Sequence, residues 1–329
     1  MKKIKVLFNG MIVKIVAIVT IVFTNNCTLG QSIEFRTSDK FSLLWEITGK
    51  GLQKPSYLFG TIHIYDSAIF KIPAEVYTAI ELCDNFALEI DVNNIDQAKV
   101  FQRIMISDPD STLNKLLEPE VYNAIREIPF IKMMGDMVNM MKPFYIQQYI
   151  LIQNPLMFQS VELKLNSYAN KKSKKITGIE TIDEQLDAID AISLFEQAQG
   201  IKDIYDYCKH EELGFAEAGE KMFNIIQLTY KEQDFERLVN LEDEFKMTSS
   251  SSAFDSTFIG KRNINMANRI DDFLKDGKTL FVALGAMHLP DYKSLQGVVA
   301  LLKEKGYNLR AVLIDLKTDK LPEYESIDS

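Results

Sequence analysis

The sequence predicts an α/β fold: a mixed central sheet built from two related strand–Gly-x-x-His halves, with a large helical insertion between them. Three observations predict it. Short apolar, β-branched runs cluster near the two ends of the 329-residue chain. From about Ile95 to Glu244 the pattern is mostly helical. A strand that runs into Gly-x-x-His occurs once near each end.

The elements follow in order. Phe41 to Thr48 reads as a strand, and Gly49-Lys50-Gly51 with Pro55 marks a turn. Tyr57 to Ile64 is a second strand, entering Gly60-Thr61-Ile62-His63. Pro73 opens a helix, a position where proline is tolerated, and Val76, Ala79, Ile80 and Cys83 share one face of it. Asn85 to Val92 is a short strand containing Glu89. The Met-rich, aromatic stretch Asp136 to Gln153 reads as core packing. Lys174 to Ile179 is β-like and runs into Glu180, after which Thr181 and Glu184 have the spacing of a capping box. Thr248 to Ser252 reads as a flexible loop. Met266, Ile270, Phe273 and Leu274 share a helical face that Gly277 ends. Thr279 to Leu284 carries no charge, the mark of a strand covered on both faces. Leu295, Val298, Val299 and Leu302 form a last helical stripe, and Leu309 to Leu316 a last strand.

Composition is that of a globular protein, 47% hydrophobic and 25% charged. The net charge of −9 argues against nucleic acid as a partner. The one basic cluster, Lys171, Lys172, Lys174 and Lys175, reads as a solvated helix end or loop.

Residues 1–30 read as a signal peptide and 31–329 as one domain. Lys2, Lys3, Lys5 and Lys14 precede the uncharged run Ile15 to Phe23, too short to span a bilayer comfortably but long enough for a signal core. Thr28-Leu29-Gly30 offers a cleavage site before Gln31. An uncleaved anchor and lipidation at Cys27, which follows Asn26, are the alternatives. Either way the protein is expected outside the cytoplasm, meeting the membrane only through this segment. Cys83 and Cys208 sit in apolar-periodic stretches and read as buried free thiols, with pairing after export left open.

The chemistry is expected at the paired histidines. Tyr57 to His63 and Phe281 to His288 share the order strand, glycine, two residues, histidine. Glycine permits a sharp turn or close approach, and the imidazole then projects from the carboxyl end of a central strand, where open α/β sheets hold ligands. If the strands are neighbours, both rings enter one cleft. Two imidazoles and one carboxylate make a catalytic metal set. Glu89 is the candidate carboxylate, as ligand or general base, because an acid inside an apolar strand is costly unless paired. Glu180 follows another apolar strand and could serve likewise. Arg262 opens a helix, where a guanidinium could bind a carboxylate or stabilise an oxyanion. His210 lacks the strand and the glycine and reads as a surface residue.

These motifs resemble the TraB/GumN family. Leu44 to Ile47 and Tyr57 to Ile64 resemble its first strand pair with Gly-Thr-x-His, and Leu88 to Asp91 its acidic strand. Glu162-Leu163, Ala169, Gly178 to Thr181 and Glu184-Gln185 resemble its mid-chain segment. Arg262-Asn263 with Met266-Ala267 resembles its Arg-Asn helix, and Ala283 to Leu289 with Lys305 to Tyr307 its second Gly-x-x-His region. One departure is Pro290 to Lys293, which intervenes before Gly297 where the family usually has an earlier glycine. The group includes Tiki proteins, described as metal-dependent proteases, and enterococcal proteins that shut off peptide pheromone signalling. The wider superfamily includes erythromycin esterases and ChaN-like haem-binding proteins. The resemblance implies a metal-dependent hydrolase in which His63, Glu89 and His288 hold manganese, cobalt or zinc and activate water against a peptide or ester. Glu89 or Glu180 would take the proton, and Arg262 would steady an oxyanion or substrate carboxylate. The alternative is a non-catalytic protein that captures a peptide or haem in the same cleft.

Overall fold

The computed structural model describes residues 35–38, 40–151, 160–245 and 255–316. The signal segment, Cys27 and the Thr248 to Ser252 loop lie outside these residues. Seven strands form one mixed sheet: β1 (Thr37–Ser38), β2 (Leu44–Thr48), β3 (Ser56–Thr61), β4 (Asn85–Ile90), β5 (Lys175–Glu180), β6 (Leu280–Gly285) and β7 (Asn308–Val312). Their order is β1-β7-β2-β3-β6-β4-β5. The run β3-β6-β4-β5 is parallel throughout, whereas β2 lies antiparallel to both β3 and β7. The two strands that enter Gly-x-x-His are therefore direct neighbours, with Gly60 opposite Leu284 and Thr61 opposite Gly285.

Parallel strands need covering on both faces, and the alternation along them shows how this is met. Tyr57, Phe59, Phe86, Leu88, Phe281 and Ala283 join one core, while Leu58, Ala87, Leu280, Val282 and Leu284 join another. Phe86 and Phe281 stack with centroids 5.7 Å apart, locking β4 to β6 on the first side. That side is covered by α1 (Ala74–Leu82), between β3 and β4, and by the helical insertion, whose main helices are α2 (Pro143–Leu151), α3 (Val161–Lys171), α4 (Ile182–Asp190), α5 (Leu194–Glu211) and α6 (Phe215–Glu232). The opposite core holds residues of α7 (Arg262–Lys275) and α8 (Val298–Glu304). Among the described residues, no helix is long and apolar enough to cross a membrane.

Several sequence expectations are met in detail. Val76, Ala79, Ile80 and Cys83 are buried together. Thr181 and Glu184 form the capping box of α4. Gly277 follows α7 with φ +70°, a conformation only glycine adopts without strain. Val138, Met141, Ile146, Tyr149 and Ile150 of the Met-rich stretch are core residues. Cys83 and Cys208 are buried and free. Within the basic cluster, Lys174 donates to the carbonyls of Glu81 and Cys83 and Lys172 pairs with Glu81, so these charges close the end of α1.

Several boundaries differ: the strand expected from Phe41 begins only at Leu44, that from Tyr57 ends at Thr61 and that from Asn85 ends at Ile90. The last strand ends at Val312. The stripe expected from Leu295 begins only at Val298, because Gly297 is the N-cap and Leu295 instead bridges to Tyr292. That bridge closes the loop in which Pro290 to Lys293 departs from the family pattern. The Gly297 amide donates to Asp291, and a Cβ at Gly297 would lie 2.2 Å from the Leu289 carbonyl oxygen and 2.3 Å from that of Pro290. Since both obstacles are backbone, relief requires moving the segment that follows His288. We expect Gly297→Ala to cost about 1–3 kcal/mol in denaturant unfolding, the usual range for overpacking; an unchanged midpoint would show that this loop yields freely.

Candidate functional site

Four adjacent parallel strands end at one edge of the sheet, and each contributes a polar side chain there. Glu89 lies in β4 and Glu180 ends β5. His63 follows β3 by two residues, and His288 follows β6 at the end of a single 3-10 turn. Arg262 arrives from the opposite layer at the start of α7, directly after a π-helical turn, Asp255–Lys261. Such turns occur often at functional sites because they displace a side chain from the ordinary helical spacing.

Arg262 is the hub. Its Nε lies 3.1 and 3.0 Å from the two Glu180 oxygens, and its Nη2 reaches Glu180 at 2.7 Å and Glu89 at 2.9 Å. Nη1 donates to the Phe258 carbonyl at 3.3 Å, and the Phe258 ring lies 4.9 Å from the guanidinium carbon. Gln185 donates to Glu89 at 3.1 Å and to Glu180 at 3.4 Å. Glu89 also accepts the Gly285 amide at 2.6 Å. The guanidinium expected to meet an oxyanion or a substrate carboxylate is thus engaged by two of the chain's own acids.

The two histidines are anchored differently. His288 is 5% exposed, with Nδ1 2.6 Å from Asn263 Oδ1. The Asn263 amide nitrogen donates to the Gln296 carbonyl at 2.8 Å, which fixes Oδ1 as the acceptor facing the ring. Nδ1 therefore carries the proton, and Nε2 keeps a lone pair 3.9 Å from Glu89 Oε1. His63 is open to solvent, its side chain 76% exposed, and its Nδ1 lies 2.9 Å from Glu162 Oε1.

Electrostatics separate these groups further. The Glu162 carboxylate raises His63 to about 9, helped by Glu89 and opposed by Arg262. Burial pushes His288 down to about 4, aided by the charges of Arg262 and His63 and opposed by Glu89. Burial alone would raise Glu89; His288, Arg262, His63 and the Gly285 amide outweigh it and hold Glu89 down at about 2. Glu180 is 4% exposed, with both oxygens on Arg262. A carboxylate held as low as Glu89 suits a fixed negative charge better than a proton acceptor near neutrality.

The donor set bears on the implied metal in two ways. His288 has the tautomer of a metal-binding imidazole, and its outer nitrogen is held by a second residue, as in metal sites generally. Glu89, Glu180 and Glu162 also outnumber the two basic groups among them, Arg262 and His63, and the excess acid favours a cation. These features fit a divalent ion. Among the described residues, however, no group of three or more His, Cys, Asp or Glu side chains is drawn together around one point. The charge of His63 is felt by both His288 and Glu89.

The structure therefore joins Glu89, Glu180, Arg262 and His288 in one network, with His63 at its open side. Sequence reasoning did not single out Glu162, Asn263 or Gln185 as site residues. Each occurs within a family-like segment, yet locally each reads as an ordinary polar residue of a helix's first turns. His210, exposed beside Glu211 on α5, matches its reading as a surface residue.

Two outcomes follow from this network. Arg262→Ala strands two buried carboxylates and should cost about 3–5 kcal/mol of stability; a loss below 1 kcal/mol in denaturant unfolding would contradict the hub. The pH dependence of the metal-free protein should show two limbs. His63 lies above its ordinary 6.5, so its contribution is full below 6.5 and fades as pH rises through about 9. His288 lies below 6.5, so stability falls as pH drops from 6.5 toward about 4 and the unfolded chain takes up the proton. Glu89 adds a loss between 4.5 and about 2. The network's contribution should peak near pH 6.5, and His63→Ala should flatten the alkaline limb. An alkaline limb unchanged in that variant would refute the assignment.

Residues 43–311 match the model of a protein family described as the TraB/PrgY/gumN family. No curated protein and no solved structure matches the chain.

Proposed function

The chain belongs to the TraB/PrgY/gumN family, and from that premise we propose that it is a metal-dependent hydrolase acting on a peptide or ester outside the cytoplasm. The observation that carries this reading is the His288–Glu89 pair. A neutral imidazole presents its Nε2 lone pair toward a carboxylate held ionised, in a pocket with more negative than positive charge. His63, Glu89 and His288 are the residues that would hold the ion. Manganese, cobalt or zinc, when bound, supplies Lewis acidity toward a carbonyl and toward water.

The remaining roles belong to the chain itself. Asn263 fixes the tautomer of His288. Arg262 holds Glu89 and Glu180 side by side through its hydrogen bonds, and the Gly285 amide orients one Glu89 oxygen. Exposure of His63 leaves the site reachable from solvent for a substrate. The extracytoplasmic setting rests on the N-terminal signal pattern alone.

The test is elemental analysis and peptidase assay of the mature protein beside His63→Ala, His288→Ala and the double variant. We expect about one equivalent of manganese, cobalt or zinc in the wild type, loss of metal in the double variant, and loss of metal-stimulated hydrolysis in each single variant. Full activity in either single variant would sink the shared site. A strong visible absorption band would point instead to haem capture, and peptide binding without turnover to a pure binding role.

A further inference from the structure

The two Gly-x-x-His segments look alike in sequence, yet the groups behind their rings differ: an amide behind His288 and a carboxylate behind His63. We propose that Glu162 is the positioning residue for His63, accepting the Nδ1–H hydrogen bond so that Nε2 is presented to the cleft. This deepens the metal-site reading above and rests on it.

The geometry is built from three directions. Glu162 Oε1 lies 2.9 Å from His63 Nδ1 and also accepts the Thr61 hydroxyl at 2.6 Å. Thr61 is the last residue of β3 and is 1% exposed, so the sheet fixes its hydroxyl. Glu162 lies in the first turn of α3, whose N-cap Ser160 accepts the Leu163 amide. The Val161 amide donates to the Ile62 carbonyl at 3.3 Å, tying the helix start to the segment that carries His63. From α6, the Tyr230 hydroxyl donates to the Gly60 carbonyl at 2.6 Å. The segment Gly60 to His63 is thereby held at its backbone and at its imidazole.

A first-turn acid ordinarily faces water and complements the helix dipole. Glu162 does not: its Oε2 is buried and has no hydrogen-bond partner among the described residues. A carboxylate oxygen buried away from protein donors costs free energy, a cost that calls for a return elsewhere. Holding an otherwise exposed imidazole in one orientation supplies that return. A carboxylate accepting the outer proton of a histidine also raises the donor strength of its other nitrogen.

The test uses the metal-free full chain, labelled with ¹⁵N-histidine, and the same chain titrated with manganese and zinc. With the ring neutral, His63 should show the Nδ1–H tautomer in the wild type and in Glu162→Gln, whose amide oxygen still accepts. It should shift toward Nε2–H in Glu162→Ala. Metal affinity by calorimetry should fall about 10- to 100-fold in Glu162→Ala, less in Glu162→Gln, and measurably in Thr61→Val, which removes only the hydroxyl that steadies the carboxylate. A His63 tautomer unchanged in Glu162→Ala, or affinity within twofold of wild type, overturns the proposal. A wild type that binds neither ion overturns the metal reading instead, while the tautomer measurement still decides the role of Glu162.

Discussion

One buried guanidinium organises this molecule's polar edge. Arg262 crosses from the α7 layer to meet Glu180 and Glu89, side chains of two neighbouring strands at one edge of the sheet. Buried ion pairs contribute little net stability over well-packed apolar groups, because the desolvation of each charge offsets their attraction. What they impose is geometry. The planar fork of arginine satisfies two carboxylates only when both face it in a narrow range of positions. The sheet register, the π-helical turn before Arg262 and the start of α7 must therefore agree with one another.

That agreement governs the histidine next to it. Arg262 keeps Glu89 ionised despite burial, and Asn263, one residue further along the same helix, sets the tautomer of His288. A single helix start thus fixes the charge on one side of the pocket and the proton position on the other. His63 belongs to a separate arrangement, seated on α3 through Glu162 at the outer side of the site. The result is one neutral, enclosed imidazole and one accessible imidazole beside a carboxylate, from two chain segments that read identically.

Much of the fold was legible because burial leaves a signature in periodicity. The uncharged run Thr279 to Leu284 announced a strand covered on both faces, and its residues do divide between two cores. The capping box at Thr181 and Glu184 was readable because its chemistry is local. The boundary at Gly297 was not, since the stripe from Leu295 continues the helical spacing past a residue whose role is set by the Leu289 and Pro290 carbonyls packed against it. Glu162 and Gln185 escaped for the same reason: the partners that give them meaning are remote in the chain.

By itself, the sequence determined the α/β class, the family, and which five polar residues stood in costly or unusual settings: His63, Glu89, Glu180, Arg262 and His288. These are properties of a residue and its immediate neighbours, so spacing and composition carry them. Only the tertiary structure decided how the five divide, with Arg262 spent on two acids, His288 enclosed beside Asn263, and His63 given to Glu162. Pairing between charges depends on distances across strands and layers, and no local pattern encodes a distance between residues that meet only when the sheet has closed.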